Sequence, residues 1–248
     1  MNDVLVQHGE VTTITINRPD KANALTLETT KAISDAVMAA RGCRVIILTG
    51  KGKTFSAGGD FAELKRLSQT DPAKAAEHLY EGFQQMIRSI RQVPVPVIAA
   101  INGHAMGAGM DLALACDLRV ISSQAKLGQV WVKVGIIPGT GGAFWCSLLA
   151  GFTRASQMIL TGEPIDANTA LEWGLVNEVT APDQVMASAR ALASKILGNP
   201  AGAVAANKAA LNEVIMPAYE AALTNARKVQ QERFASDEFK QALAARDG

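Results

Sequence analysis

Two glycine-rich stretches hold the residues best suited to chemistry in this sequence: Phe55-Ser56-Ala57-Gly58-Gly59-Asp60 and Asn102-Gly103-His104-Ala105-Met106-Gly107-Ala108-Gly109. Glycine lets a backbone approach a ligand closely, and the first turn of a helix presents free N–H groups with partial positive charge. Two such segments, if they converge, can stabilise a developing oxyanion from both sides, often the largest single catalytic contribution. Taken alone, each reads equally well as a tight strand-to-helix turn. A dinucleotide site fits poorly. The second stretch spells Gly-x-x-x-Gly-x-Gly, and no acidic residue falls in Ser122 to Lys126, where one would contact a ribose.

The elements that must position these stretches follow from hydrophobic pattern. Val4–Gln7 and Val11–Asn17 read as strands around a turn at His8-Gly9, the second alternating apolar residues with threonine. Thr26 caps a helix running to about Arg41, with Ile33, Val37 and Met38 on one face. Arg44–Thr49 is a buried strand. The loop Gly50–Asp60 leads into a helix through Ala62, Glu63, Leu64 and Leu67, and Pro72 begins a long one to about Arg91. After Val93-Pro94-Val95-Pro96 comes the buried strand Val97–Ile101, then a helix through Leu114 and a strand Leu118–Ser122. Strands alternating with helices predict an α/β core over residues 1–180. From Pro182 the pattern turns Ala-rich and helical, with Asn199-Pro200 separating 183–198 from 201–215 and Pro217 starting the last helix. Region 181–248 is therefore expected to pack on the core or on another subunit. No internal repeat is visible.

Composition narrows the function. The 248 residues are 48% hydrophobic and 19% charged, a globular balance, with room for a substantial core. A formal net charge of +1 argues against a nucleic-acid partner that works by neutralising phosphates. No apolar run is long enough to cross a membrane, and Met1 to Glu10 lack the order of a signal peptide. Cys43, Cys116 and Cys146 are scattered without metal-ligand spacing, and with three histidines no metal site is expected. A cytoplasmic protein is the expectation.

Several stretches together resemble the crotonase, or enoyl-CoA hydratase/isomerase, superfamily: FSAGGDFAEL (55–64), INGHAMGAGMDLALACD (101–117) and VGIIPGTGG (134–142). Asn17-Arg18-Pro19, Asn23-Ala24-Leu25 and Ala170 to Val176 match in the same order, so the resemblance covers nearly the whole chain. It implies a spiral of ββα repeats with a helical C-terminal region, assembled as a homotrimer or homohexamer. It implies an acyl-CoA substrate, with coenzyme A part of that substrate and no separate cofactor. The amides of Gly59 and Ala108 would form the oxyanion hole for the thioester oxygen. Lys21, Ala22 and Ala24, with Ala57, Gly58, Asp60, Phe61 and Leu64, would hold the substrate and its CoA.

The sequence departs from the family where chemistry matters. Hydratases of this type carry two glutamates at the substrate double bond; the first position is Asp111 here and the second is Trp131. No Asp or Glu occurs anywhere in residues 118–162, and the position that holds an aspartate in some isomerases and in aryl-CoA dehalogenases is Gly139. Asp111 is thus the single acid/base the resemblance offers, and its apolar surroundings predict a raised pKa. Trp131 reads as a core residue on a strand or, with Phe61 and Phe144, as the wall of a pocket for a cyclic or aromatic acyl group. His104 reads as structural, His78 as facing solvent or the acyl pocket, Lys133 as a salt-bridging lysine and Cys116 as a buried small residue. Family chains continue past 234–246 with a basic tail toward adenine, whereas this sequence stops at Gly248.

The expected function is an enoyl-CoA hydratase/isomerase reaction through an oxyanion-stabilised enolate. The alternatives are a CoA-thioester hydrolase, a decarboxylase, an aryl-CoA dehalogenase and an acyl-CoA binder without catalysis.

Overall fold

The computed structural model describes residues 2–70 and 72–245; the side chains at 68, 70, 72–76 and 78–80 lie outside what it describes, the expectation for His78 among them. The chain runs β1 (Val4–Gln7), β2 (Val11–Ile16), α1 (Leu27–Ala39), β3 (Val45–Gly50), β4 (Thr54–Ser56), α2 (Phe61–Thr70) and α3 (Pro72–Gln92). Next come β5 (Val97–Ile101), β6 (His104–Met106), α4 (Ala108–Ala115), β7 (Leu118–Ser122) and β8 (Lys126–Gly128). A 3-10 turn over Val130–Val134 precedes α5 (Gly142–Ala150), α6 (Phe152–Thr161), β9 (Ile165–Asp166), α7 (Ala167–Glu172) and β10 (Glu178–Thr180). Three helices finish the described chain: α8 (Val185–Leu197), α9 (Ala201–Ala235) and α10 (Asp237–Ala244).

These strands form two sheets. The larger has the order β1-β2-β3-β5-β7-β10, antiparallel at β1/β2 and parallel beyond, and the smaller has the order β4-β6-β8-β9. The pairs β3/β4, β5/β6 and β7/β8 each send one strand to each sheet, so the chain winds as a spiral of ββα turns. The repeat has no visible counterpart in the sequence, because a helix follows only two of these three pairs directly and the loops differ in length.

Side-chain alternation explains the layers. Ile46, Leu48, Val97, Ala99 and Ile101 face the main core with α1 and α3, whereas Val45, Ile47, Ile98, Ala100 and Val120 face Val185, Ala189 and Ala193 of α8. The α1 helix starts as expected: the Thr26 hydroxyl accepts from the Thr29 N–H at 3.1 Å.

One expectation is overturned. Pro217 does not begin a helix; it lies inside α9, which is continuous from Ala201 to Ala235. An interior proline costs about 3 kcal/mol, and here anchors on both sides of it hold the helix straight through. Before it, the Lys208 ammonium donates to the Ile90 and Val95 carbonyls and to Asp117, each at 2.8–2.9 Å, and Arg91 pairs with Asp117 at 2.9 Å and donates to the Asn212 side-chain oxygen at 2.9 Å. After it, Arg88 makes a two-pronged pair with Glu220 at 2.7 and 2.8 Å, and Tyr219 is fully buried. Among the described residues no helix is long and apolar enough to cross a membrane.

Candidate active site

The two glycine-rich stretches meet. The first is the β4-to-α2 turn and the second the β6-to-α4 turn, and β4 and β6 are parallel neighbours. Gly58 has φ +95°, and a Cβ there would lie 2.6 Å from the Met106 oxygen and 3.4 Å from the Ala108 nitrogen. Gly109 is equally constrained, since its Cβ would lie 2.6 Å from Ser56. The Ser56 hydroxyl ties the first turn down by donating to the Asn23 carbonyl at 2.8 Å. Neither the Gly59 nor the Ala108 N–H has an acceptor among the described residues, and both residues line one cleft. Two unused amide donors on a shared cleft are the geometry an oxyanion requires.

The rest of the wall is mostly apolar: Leu64, Phe83, Trp131, Ile136, Ile137 and Phe234, with Asp60, Gly139, Thr140 and Gln230. Trp131 sits not on a strand but in the 3-10 turn after β8, because the chain leaves the sheet at Gly128. Its indole stands over both glycine-rich turns. A Cβ on Gly107 (φ +50°) would lie 2.8 Å from the ring, and one on Gly59 would lie 3.7 Å from it. Of the aromatic trio expected around an acyl group, only Trp131 lines the cleft. Phe144 packs edge-on against Trp145 and Tyr219, and Phe83 and Phe234 take the wall positions instead. Phe234 and Gln230 belong to α9, so the C-terminal helices contribute to the site as well as to packing.

Asp111 lies one layer behind the wall. It is fully buried on the first turn of α4 and does not itself line the cleft. Gln129 donates its amide to Oδ1 at 2.6 Å, and the hydroxyl of Thr140, which does line the cleft, donates to Oδ2. A Cβ on Gly142 would lie 2.4 Å from Oδ1, so the start of α5 closes the far side. Burial pushes the carboxyl up to about 6, against the opposing pull of the Thr140 and Gln129 hydrogen bonds. Asp60, the other carboxylate near the cleft, is engaged elsewhere: Oδ1 caps α2 at Ala62 and Glu63, and Oδ2 pairs with Arg18 at 3.1 Å.

The segment Lys21–Ala24 is stitched to Ala57–Asp60. The Ala57 N–H donates to the Ala22 carbonyl at 2.9 Å, Leu25 donates to Gly58 at 2.7 Å, and Asp60 donates to Leu25 at 2.9 Å. Ala22 and Asn23 both adopt left-handed φ, and Asn23 stabilises this turn by accepting from the Arg18 N–H and donating to the Lys51 and Thr54 carbonyls. Lys21 is exposed and Phe61 is half-buried. His104 accepts the Lys126 N–H at 3.0 Å, Lys133 pairs with Glu163 at 2.6 Å, and burial pushes the Cys116 thiol up to about 12. Thr140, Gln129, Phe83, Ile136 and Phe234 were not singled out from sequence. Thr140 and Ile136 sit inside the VGIIPGTGG stretch, which was the one available signal for them.

Comparison with known proteins identifies the family. Residues 7–246 match the sequence model of the family described as enoyl-CoA hydratase/isomerase. The chain is 36% identical over 250 residues to a short-chain-enoyl-CoA hydratase of Clostridium acetobutylicum, covering 98% of this chain and 94% of that one. It is 38% identical over 216 residues to a crotonyl-CoA hydratase of Syntrophomonas wolfei, covering 86% and 82%. Its fold superposes on the crystal structure of an enoyl-CoA hydratase/isomerase from Mycobacterium paratuberculosis with a TM-score of 0.90 at 32% identity, over 98% of both chains.

Proposed function

The chain belongs to the enoyl-CoA hydratase/isomerase (crotonase) family, and from that premise we propose that it turns over an acyl-CoA thioester through an enolate, with Asp111 as its single acid/base. The observation that carries this reading is the pair of amides without an acceptor among the described residues, Gly59 and Ala108, on one cleft also lined by Thr140, whose hydroxyl bonds to Asp111. The thioester oxygen accepts from the two amides, which lowers the energy of the enolate as charge moves onto that oxygen. The Lys21–Ala24 and Ala57–Asp60 segments carry the CoA portion, and the apolar wall takes the acyl chain.

Trp131 occupies the place where a second carboxylate would be needed to hydrate a double bond with a separate acid and base. A 1,3-proton shift between carbons needs only one such group, and a single carboxylate can also serve hydration by taking a proton from water and giving it to carbon. No separate cofactor enters either balance. A homotrimer or homohexamer is the proposed assembly, supported by the apolar surface of α5 and α6, where Phe152 is 80% and Leu160 74% exposed. The scattered free cysteines support a reducing, cytoplasmic location.

The test is mass spectrometry of crotonyl-CoA, a 3-enoyl-CoA and a ring-bearing enoyl-CoA incubated in deuterated water. Added water identifies hydration, and deuterium at carbon without added water identifies isomerase chemistry. Release of free CoA or loss of carbon dioxide, without exchange at carbon, overturns the enolate proton-transfer reading.

A further inference from the structure

The acid/base carboxylate and the space for the acyl group are not in contact. Asp111 has no exposed surface, and the cleft wall in front of it is Thr140. Thr140 stands between the two: the residue lines the cleft, and its hydroxyl bonds to Oδ2 of Asp111. The Asp111 carboxylate is also held from behind, by Gln129 at 2.6 Å and by the close approach of Gly142. A swing into the cleft would break both hydrogen bonds and displace Thr140.

The turn that carries Thr140 is itself pinned. Tyr219 donates its hydroxyl to the Thr140 carbonyl at 3.1 Å, and Gln84, almost fully buried, donates its amide to the Gly139 carbonyl at 3.2 Å. Gly141 holds φ +102°, and a Cβ there would lie 2.4 Å from the Tyr219 ring. These bonds hold the backbone of the turn from two sides, and the Thr140 hydroxyl itself is engaged by Asp111.

We propose that Thr140 is the proton relay of this site: its Oγ1 exchanges protons with the acyl group, and Asp111 acts only through it. This rests on the function proposed above. In the forward step the substrate Cα–H bond breaks and its proton goes to Thr140 Oγ1, while the hydroxyl proton passes to Asp111 Oδ2 in the same event. The electron pair of the broken bond enters the enolate, and the charge settles on the thioester oxygen at the Gly59 and Ala108 amides. In the return step Asp111 gives its proton back to Oγ1, the hydroxyl delivers one to Cα or Cγ, and the thioester carbonyl re-forms. No oxidant, reductant or additional reactant takes part.

The experiment compares wild type, Asp111→Asn, Thr140→Val and Thr140→Ser with one 3-enoyl-CoA, measuring exchange at Cα, thioester binding and the solvent isotope effect. Thr140→Val is expected to lose about 100-fold or more in exchange rate, the scale of a positioned proton-transfer group, with binding kept, and Thr140→Ser to recover at least about tenfold of that loss. Proton removal by the wild type is expected to be slower in deuterated water, because a solvent-exchangeable hydroxyl proton is in flight; direct transfer to a carboxylate has none. A wild-type rate for Thr140→Val beside a dead Asp111→Asn overturns the relay and leaves the acid/base assignment standing. An active Asp111→Asn overturns that assignment itself. Should Thr140→Val fail to fold, the solvent isotope effect on the wild type decides: its absence refutes the relay.

Discussion

The indole of Trp131 lies against Gly107, so close that a Cβ at that glycine would fall 2.8 Å from the ring. Gly107 also holds φ +50°, where side chains are strained, and its successor Ala108 carries one of the two amides with no acceptor among the described residues. The tryptophan therefore both walls the cleft and buttresses the turn that carries Ala108, the proposed oxyanion donor. Replacing it with alanine is predicted to widen the cleft and shift selectivity toward bulkier acyl groups by about tenfold in relative kcat/KM, the scale for a filled or vacated hydrophobic pocket. Competition between crotonyl-CoA and a ring-bearing enoyl-CoA measures it.

The pH dependence follows from Asp111. Burial raises its pKa to about 6, and a base must be ionised to accept a proton. Exchange at Cα should fall as pH drops through about 6 and be level above it. Tyr219 and Cys146, which also face this carboxylate, are pushed further up by burial and do not titrate in that window. A profile from pH 4.5 to 8 checks this, with Asp111→Asn expected to be low and flat.

The same shift fixes a stability trend. A folded pKa of about 6 against an ordinary 3.8 means the folded state holds this proton more tightly. The stabilisation is complete below the lower value and is lost as pH rises through the upper one, about 3 kcal/mol in all. Asp111→Asn should therefore gain stability relative to wild type between pH 4 and pH 7, as read by denaturant unfolding at each pH.

Asp117 accepts from both Lys208 and Arg91, which are 5% and 6% exposed. Asp117→Ala leaves two buried cations facing each other, and a loss of about 3–5 kcal/mol is expected. Urea unfolding measures it, and a change below about 1 kcal/mol would show that the cluster does not clamp α9.

Tyr219→Phe deletes only the hydroxyl that holds the Thr140 carbonyl at 3.1 Å. Stability should fall by about 1 kcal/mol, the usual net value of such a bond. The turnover number should drop more than KM rises, because the variant loosens Thr140 and not the segments proposed to carry CoA.

Most of the scaffold was legible because its signals are local. The apolar run Val97–Ile101 and the cap at Thr26 act within a few residues, and both lie where the pattern put them. The two turns that meet at the cleft were legible as glycine clusters bordering helices. What stayed hidden depends on contacts far apart in sequence. Continuity through Pro217 is enforced by partners 91 and 132 residues away, Asp117 and Arg88. The link from Thr140 to Asp111 spans 29 residues, and Phe234 reaches the cleft only because α9 folds back over α3. The spiral was expected from family resemblance, since no sequence repeat marks it.

The most direct test of the central claim uses a saturated acyl-CoA such as butyryl-CoA, which has no double bond to hydrate or move. Incubated with the protein in deuterated water, its intact thioester can gain deuterium only by exchange at Cα, which needs nothing beyond a base and an oxyanion site. The account predicts a steady gain of deuterium with wild type and a loss of about 100-fold or more with Asp111→Asn. Equal exchange by the two proteins, or none by a wild type that binds the thioester, would contradict it.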